Sequence, residues 1–153
     1  MEPTGEPSPY GATAPALRSD RAKVIALWQS CGLVVPHNPP GADFDLALGK
    51  PNWDILTIRE CERVVGSVMV GHDGHRGWVY YLAFHPERQR QGLGAVLVAA
   101  AEDRLRQRGI RKIQLMVRDS NQGVLDFYLR VGYEPSPVVV MQRWLEGNNS
   151  QGS

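Results

Sequence analysis

The chain has 153 residues, with 17 Lys plus Arg against 16 Asp plus Glu and a formal net charge of +1. This length is about that of one domain, and so balanced a charge predicts neither nucleic acid nor an anionic membrane as a partner. No apolar run approaches the about 20 residues that cross a bilayer, and the N-terminus lacks the pattern of a signal peptide, so we expect a cytoplasmic protein. The two separated cysteines, Cys31 and Cys61, indicate reduced thiols.

The two ends of the chain differ in composition from its middle. Residues 1–14 are rich in Pro, Gly, Ser and Thr and have almost nothing to bury, and residues 147–153 are similar. We therefore expect a disordered start and a flexible tail. One domain over residues 15–146 is predicted between them.

The first predicted element of this domain is a helix over Arg21–Ser30. Its apolar residues recur at helical spacing, Ser19 or Asp20 can cap its start, and Gly32 ends it. A proline-rich loop follows, and residues 43–48 then predict a short second helix.

Three β-rich runs come next in the chain. Residues 54–59 and 64–71 predict an antiparallel hairpin. Residues 79–84 (VYYLAF) have no polar alternation, which predicts a strand buried on both faces. A loop at residues 72–77 joins the second run to the third, so the sequence predicts three consecutive antiparallel strands.

The loop between the second and third runs contains His72, Asp73 and His75. Imidazoles and a carboxylate are legitimate metal ligands. No further Cys or His cluster completes a ligand set, however, and such a sequence between strands is ordinary turn chemistry. We therefore predict no metal site.

The third run is followed by a polar loop and then by glycines that begin a helix. Pro86 stops the strand, and Gly92 and Gly94 let the backbone turn tightly and approach a ligand. Free N–H groups at a helix start attract negative charge, which predicts a phosphate-bearing ligand here. The full G-x-G-x-x-G dinucleotide fingerprint is absent, and the loop is too long for the tight turn which that fingerprint needs. The loop also offers side-chain amides and guanidiniums from Arg88, Gln89 and Arg90.

The rest of the chain alternates helices and strands. An apolar stripe predicts the longest helix over residues 94–108, residues 113–117 predict a strand, and Ser120 or Asn121 can cap a further helix. Residues 138–144 predict a last strand. The predicted fold class is α/β, a mixed sheet with antiparallel N-terminal strands and a right-handed strand–helix–strand crossover.

Three segments of the chain carry a resemblance to a known family. Residues 89–94 (QRQGLG) resemble the Q/R-x-x-G-x-G/A signature of the GNAT superfamily of N-acetyltransferases. Residues 82–86 (LAFHP) resemble the family's fourth strand, and residues 121–133 resemble its N-x-x-A-x-x-x-Y-x-x-x-G-F/Y segment. The resemblance covers about residues 15–145 and implies the GNAT fold. It is nearest to small bacterial members, namely the YpeA-like branch and the ribosomal-protein alanine acetyltransferases.

The resemblance implies acetyl-CoA as co-substrate and assigns residues to its binding. Backbone groups of Leu82, Ala83 and Phe84 are expected to pair with the pantetheine arm, and an N–H of this strand to polarise the thioester carbonyl. Asn121 is expected to hydrogen-bond the pantetheine. The residues expected around the pyrophosphate are Arg90, Gln91, Gly92, Leu93, Gly94 and Ala95.

The resemblance also implies the reaction. A neutral primary amine attacks the acetyl carbon directly in a ternary complex, and Tyr128, with an ordinary pKa near 10, protonates the departing thiolate. Each residue has a plain structural alternative. Gly92 and Gly94 serve equally well as a helix entry, Asn121 as an N-cap and Tyr128 as a core tyrosine.

The chain departs from the family pattern at the general base. Ribosomal-protein acetyltransferases have a glutamate where this chain has Met116, which cannot take a proton, and Val124 replaces a small alanine. A ribosomal-protein substrate is therefore not carried over. An amine of low pKa needs no strong base. The candidate substitutes as base are His72, Asp73, His75, Tyr80 and Glu60.

The acceptor and the assembly stay open at this point. An arylamine, an α-amino group and a small polyamine all fit the chemistry, as does a protein N-terminus or lysine. The alternative from another class is a non-catalytic acetyl-CoA-binding module. A homodimer is suggested only by analogy with related folds.

Overall fold

The computed structural model describes residues 13–36, 39–88 and 92–147 of the chain. The chain forms two compact units, Met1–Leu115 and Met116–Ser153. The described residues of the first unit form, in chain order, β1 (Ala14–Pro15), α1 (Arg21–Ser30), α2 (Pro40–Ala47), β2 (Trp53–Glu60), β3 (Arg63–His72), β4 (Gly77–Phe84), α3 (Leu93–Gln107) and β5 (Ile113–Leu115). The second unit contains α4 (Gln122–Arg130).

The described strands form one sheet in the order β1-β2-β3-β4-β5. The first four are antiparallel neighbours, whereas β5 is parallel to β4 and is reached through α3. The predicted antiparallel run and the strand–helix–strand crossover are therefore confirmed. The predicted helix over Arg21–Ser30 is also confirmed to the residue.

The sheet buries both of its faces, because successive side chains of a strand point to opposite sides. Ile55 packs in the cluster beneath α1 and α2, together with Trp28 and Phe44. Leu56, the next residue along β2, packs in the other cluster, beneath Leu97 and its neighbours on α3. The two helical layers thus lie against opposite faces of the same strands.

Strand β4 differs from the prediction that it is buried on both faces. Tyr80 is 37% exposed, and Tyr81, Leu82 and Phe84 are only half-buried. The reason lies in the pairing, because β5 covers β4 only from Gly77 to Val79. An apolar composition therefore did not mean full enclosure here.

The predicted strand over residues 138–144 is not formed. Residues 134–144 have no regular secondary structure, and Val139 and Met141 are 83% and 87% exposed. A strand needs a partner for its backbone N–H and C=O groups. Within the described part of the second unit, helix α4 is the only regular element, so that unit offers no such partner.

The chain start also differs from the prediction of disorder over residues 1–14. Residues 1–12 lie outside the described part, but Ala14 and Pro15 form strand β1, which pairs with Thr57 and Leu56. The side chain of Thr57 donates a hydrogen bond to the Ala14 carbonyl at 3.0 Å. Of the predicted flexible tail, residues 148–153 lie outside the described part.

A charged cluster ties helix α3 to strand β2. Asp54 accepts hydrogen bonds from Arg104 Nε at 2.9 Å and from Arg108 Nη2 at 2.7 Å, and its side chain is 13% exposed. We expect Asp54→Asn to lower the free energy of unfolding by about 2 kcal/mol, because it leaves two half-buried guanidiniums without their counter-charge. Urea denaturation measures this loss.

The matched control for this change is Asp103→Asn on helix α3. Asp103 pairs with Arg106 at 2.9 Å, but both side chains are 67% exposed. Exposed pairs contribute little, so the expected loss is below about 0.5 kcal/mol. Equal losses for the two variants would contradict the role given to Asp54.

Candidate functional site

One edge of β4 is left open by the short pairing with β5. The parallel pairing ends at Val79 opposite Leu115, so from Tyr80 to Phe84 this edge has no strand partner among the described residues of the first unit. The opposite edge stays paired, since the His85 N–H donates to the Val65 carbonyl at 2.8 Å. Because backbone groups of a strand alternate between its two edges, the N–H of Phe84 is directed to the open edge.

A β-bulge interrupts β4 at the start of this open edge. Ser67 pairs with Ala83 and Met69 with Tyr80, so the single residue Val68 lies opposite both Tyr81 and Leu82. Tyr81 has a φ of +52°, in the left-handed region that non-glycine residues rarely adopt. A bulge redirects the backbone groups around it, and no local sequence pattern indicates this one.

The side chain of Tyr81 is held from two sides. Its ring stacks on that of Trp28, with the ring centres 4.0 Å apart and an interplanar angle of 15°. Its hydroxyl donates a hydrogen bond to Asp43 Oδ2 on α2 at 2.5 Å. Burial, this hydrogen bond and the charge of Asp43 raise the pKa of Tyr81 well above its ordinary value. The left-handed backbone conformation of Tyr81 costs about 1–3 kcal/mol of free energy, which these side-chain contacts offset.

Helix α3 follows β4 in the chain and begins with a glycine entry. Gly92 is the N-cap, with a φ of +78° that suits only glycine well, and the Val96 N–H donates to its carbonyl at 3.1 Å. The N–H groups of the first turn, from Leu93 to Ala95, precede the intrahelical ladder and lie at the positive end of the helix dipole. They therefore present donors for an anion.

The structure brings two of the predicted site segments together. Leu93 is buried in the cluster on the α3 face of the sheet, and Leu82 and Phe84 pack against that cluster. Leu82 and Phe84, expected at pantetheine, thus share one apolar cluster with Leu93, expected at the pyrophosphate. Arg90 and Gln91, also expected at the pyrophosphate, lie outside the described residues.

Arg88, which the sequence placed in the polar loop, has a carboxylate partner. Its guanidinium forms a short ion pair with Glu60 at the end of β2. The pair engages the positive charge of Arg88 and also the carboxylate of Glu60, which was a candidate general base. Neither group is left as an isolated charge.

The loop between β3 and β4 shows turn chemistry. Asp73 accepts hydrogen bonds from the N–H groups of Arg76 at 2.8 Å and His75 at 2.9 Å, and from Trp78 Nε1 at 3.2 Å. These bonds lower the pKa of Asp73 to about 2, so it is a poor base near neutral pH. The described residues assemble no group of three or more His, Cys, Asp or Glu side chains that could hold a metal ion.

Tyr80 is also a poor base. Burial, together with the charge of Asp73, raises the pKa of Tyr80 above its ordinary value of 10.0. Its hydroxyl therefore keeps its proton at neutral pH. His72 is engaged in the same loop, where its Nδ1 accepts the Gly74 N–H at 3.0 Å.

The second unit contains the remaining predicted site residues. Asn121 is the N-cap of α4, and its Oδ1 accepts the Val124 N–H at 3.2 Å, so the cap leaves the Nδ2 group of the amide available as a donor. Tyr128 follows seven positions later, about two helical turns along. Its ring lies edge-on to those of Phe127 and Tyr133, at 5.0 and 5.4 Å.

Tyr128 is less acidic than an ordinary tyrosine. It is 7% exposed, and burial raises its pKa to about 12. The sequence-based expectation of a pKa near 10 is therefore wrong, because the position is more enclosed than an isolated motif indicates. Met116, at the position where the resemblance to ribosomal-protein acetyltransferases implies a glutamate base, is 49% exposed.

No helix in the described part of the chain combines the length and the apolar character that crossing a bilayer demands.

Comparisons with known proteins agree on one family. The model of the acetyltransferase (GNAT) family matches residues 21–133. An acetyltransferase of Yersinia enterocolitica is 36% identical over 128 residues, which cover 84% of this chain and 91% of that protein.

Solved structures of low sequence identity share the fold. The ribosomal-protein-S18-alanine N-acetyltransferase from Escherichia coli has a TM-score of 0.70 at 19% identity, covering 82% of this chain and 78% of that chain. AAC(6')-Iy, solved in complex with the bisubstrate analog CoA-S-monomethyl-acetylneamine, has a TM-score of 0.71 at 13% identity, covering 86% of this chain and 96% of that chain.

Proposed function

Because the chain belongs to the GNAT family of N-acetyltransferases, we propose that it transfers the acetyl group of acetyl-CoA to a primary amine by direct attack in a ternary complex. The observation that supports this most is the open, bulged edge of β4 beside the glycine entry of α3. In the reaction the N–C bond forms and the C–S bond breaks. The nitrogen loses one proton and the thiolate takes one up.

The open edge of β4 suits an extended ligand with amide groups. Backbone groups of Leu82, Ala83 and Phe84 are proposed to pair with the pantetheine arm as an added strand would. An N–H of this segment is proposed to donate to the oxyanion that forms on the thioester carbonyl. The support is that no described strand of the first unit pairs with this edge beyond Val79, together with the bulge at Tyr81.

The start of α3 suits the pyrophosphate. The backbone N–H groups of its first turn point toward the N-terminus of the helix, which is the positive end of the helix dipole and favours bound anions. The residues proposed around the pyrophosphate are Arg90, Gln91, Gly92, Leu93, Gly94 and Ala95. The geometry of the helix start supports the residues from Gly92 to Ala95, and the family resemblance supports Arg90 and Gln91.

Asn121 and Tyr128 are proposed from the family motif. The Nδ2 group of Asn121 is proposed to donate to pantetheine, since its cap uses only the oxygen. Tyr128 is proposed as the donor to the departing thiolate. Its pKa of about 12 keeps it protonated at working pH. An ordinary thiol has a pKa of about 8.5, so complete proton transfer from Tyr128 to the thiolate is unfavourable. Tyr128 is therefore proposed to act mainly by donating a hydrogen bond to the thiolate in the transition state.

Two measurements test this function. Acetyl-CoA at about 100 times its Kd is expected to stabilise the folded protein by about 2.7 kcal/mol, seen as a rise in Tm. CoA release from acetyl-CoA is then followed over a panel of amines and peptides. No rise in Tm would overturn the proposal, whereas a rise without turnover on any acceptor would identify a binding module.

A pair of variants locates the pyrophosphate site. Ala95 is exposed in the first turn of α3, and Ala99 is exposed one turn later. Ala95→Glu is expected to weaken acetyl-CoA binding about tenfold or more, since its carboxylate repels the pyrophosphate, while the helix dipole accommodates the new charge. Ala99→Glu is the control and is expected to leave the affinity within about twofold. Isothermal titration measures both.

A further inference from the structure

Asp43 is a half-buried carboxylate with no cationic partner in the described part of the chain. Among the described residues no Lys, Arg or His nitrogen lies within 4.0 Å of it, and the Tyr81 hydroxyl is its side-chain partner, on Oδ2. The first unit's other described acidic residues that are buried or half-buried each have an arginine within 4.0 Å. They are Asp20 with Arg59, Asp54 with Arg104 and Arg108, and Glu102 with Arg106.

The neighbouring positive charges do not neutralise Asp43. Arg18 and Arg21 both bind Asp45, which is on the exposed side of the same helix, at 2.9 Å. The dipole of the short helix α2 offsets only part of one charge. A half-buried carboxylate that no described cation pairs with is a favourable position for a cationic group of a ligand.

The position of this carboxylate relates it to the proposed reaction. Asp43 reaches β4 through Tyr81, the residue of the bulge, on the face covered by α1 and α2. Of the residues proposed to bind acetyl-CoA in this unit, Leu82, Phe84 and Leu93 lie on the α3 face, whereas the Ala83 side chain lies on the same face as Tyr81. One tyrosine side chain therefore separates the carboxylate from the strand backbone proposed to hold the thioester.

We infer that Asp43, positioned by Tyr81, binds a second cationic group of the acceptor, which makes the preferred substrate class aliphatic amines with two positive charges. One amine attacks the thioester while the other binds Asp43, one short aliphatic chain away. This inference rests on the proposed function, because it assumes that the acetyl group lies at the bulged edge of β4. The hydrogen bond from Tyr81 engages Oδ2, so Oδ1 is the oxygen that we propose for the ligand.

Two substrates that differ by one charge test the inference. Putrescine is a four-carbon chain with an amine at each end, and butylamine is the same chain with one amine. The expected kcat/KM for putrescine exceeds that for butylamine about tenfold or more, as for a charge-assisted hydrogen bond in a half-buried site.

Variants assign this preference to the carboxylate. Asp43→Asn keeps the shape and an acceptor for the Tyr81 hydroxyl, and it is expected to remove the preference through KM for putrescine while leaving the Tm rise with acetyl-CoA unchanged. Tyr81→Phe is expected to weaken the preference about threefold. Asp45→Asn, two positions further along α2, is the matched control and is expected to retain the full preference.

The outcomes separate this inference from the proposed function. Equal turnover of the two amines by the wild-type enzyme, or an Asp43→Asn enzyme that still prefers putrescine, would overturn the inference alone. Turnover of neither amine, with acetyl-CoA still raising Tm, would also overturn it and leave the acetyltransferase proposal standing for other acceptors. Failure of acetyl-CoA to raise Tm would overturn the proposed function itself.

Discussion

The Tyr128→Phe enzyme is expected to turn over about 100 times more slowly than the wild type, with an unchanged KM for acetyl-CoA. The substitution removes one hydroxyl and keeps the ring, which packs edge-on against Phe127 and Tyr133. The lost group is the proposed donor to the thiolate, an interaction that develops mainly in the transition state. Steady-state CoA release at saturating acceptor measures the change.

The pH profile adds a second readout for Tyr128. Because burial raises its pKa to about 12, the hydroxyl keeps its proton throughout the working range, and the wild-type rate should show no decline from its ionisation below about pH 11. Tyr133→Phe removes a hydroxyl from the adjacent ring and is the matched control, with kcat expected within about threefold of the wild type. A Tyr128→Phe enzyme of full activity would remove this residue from the mechanism.

Trp28→Ala is expected to lower the free energy of unfolding by roughly 3–5 kcal/mol, a large part of the 5–15 kcal/mol typical of a domain. Trp28 is completely buried, stacks on Tyr81 at 4.0 Å and lies 6.4 Å from the Phe44 ring. Its Nε1 donates to Ser67 Oγ at 3.1 Å. Alanine would leave a cavity between α1, α2 and β4. Denaturant unfolding followed by circular dichroism measures the loss.

Trp28→Phe separates packing from hydrogen bonding at this site. Phenylalanine keeps most of the buried ring but leaves the Ser67 hydroxyl without its donor, at an expected cost of about 1–2 kcal/mol. A loss below about 1 kcal/mol for Trp28→Ala would show that the cluster beneath α1 and α2 contributes little to stability. Because Tyr81 loses its stacking partner, we also expect Trp28→Ala to weaken the preference for putrescine.

Elements with a strong local pattern could be predicted closely from the sequence. The helix over Arg21–Ser30 was predicted at its observed bounds, and α3 begins at Leu93, one residue before its predicted start. The hairpin of β2 and β3 follows from two β-rich runs separated by a turn. In each case the periodicity of apolar residues is set by the element itself, so a single segment contains the information.

Predictions about edges and partners were less successful. The run over residues 138–144 has strand composition but forms no strand, and residues 79–84 are apolar but form a half-open strand. The amino-acid composition of a segment indicates how much apolar surface it can bury. Whether a partner covers it depends on other parts of the chain, which local patterns do not encode.

The site divides in the same way. The sequence by itself determined the family and the candidate residues from Leu82 to Tyr128. Each motif is recognised by the types of its residues and their spacing along the chain, and both can be read from one sequence. Only the tertiary structure decided that the pairing of β5 with β4 stops at Val79, that β4 bulges at Tyr81 and that the Tyr81 hydroxyl donates to Asp43. Asp43 and Tyr81 are 38 positions apart. Their contact exists because two helices and a strand pack around Trp28, and such long-range packing sets which charges stay without a partner.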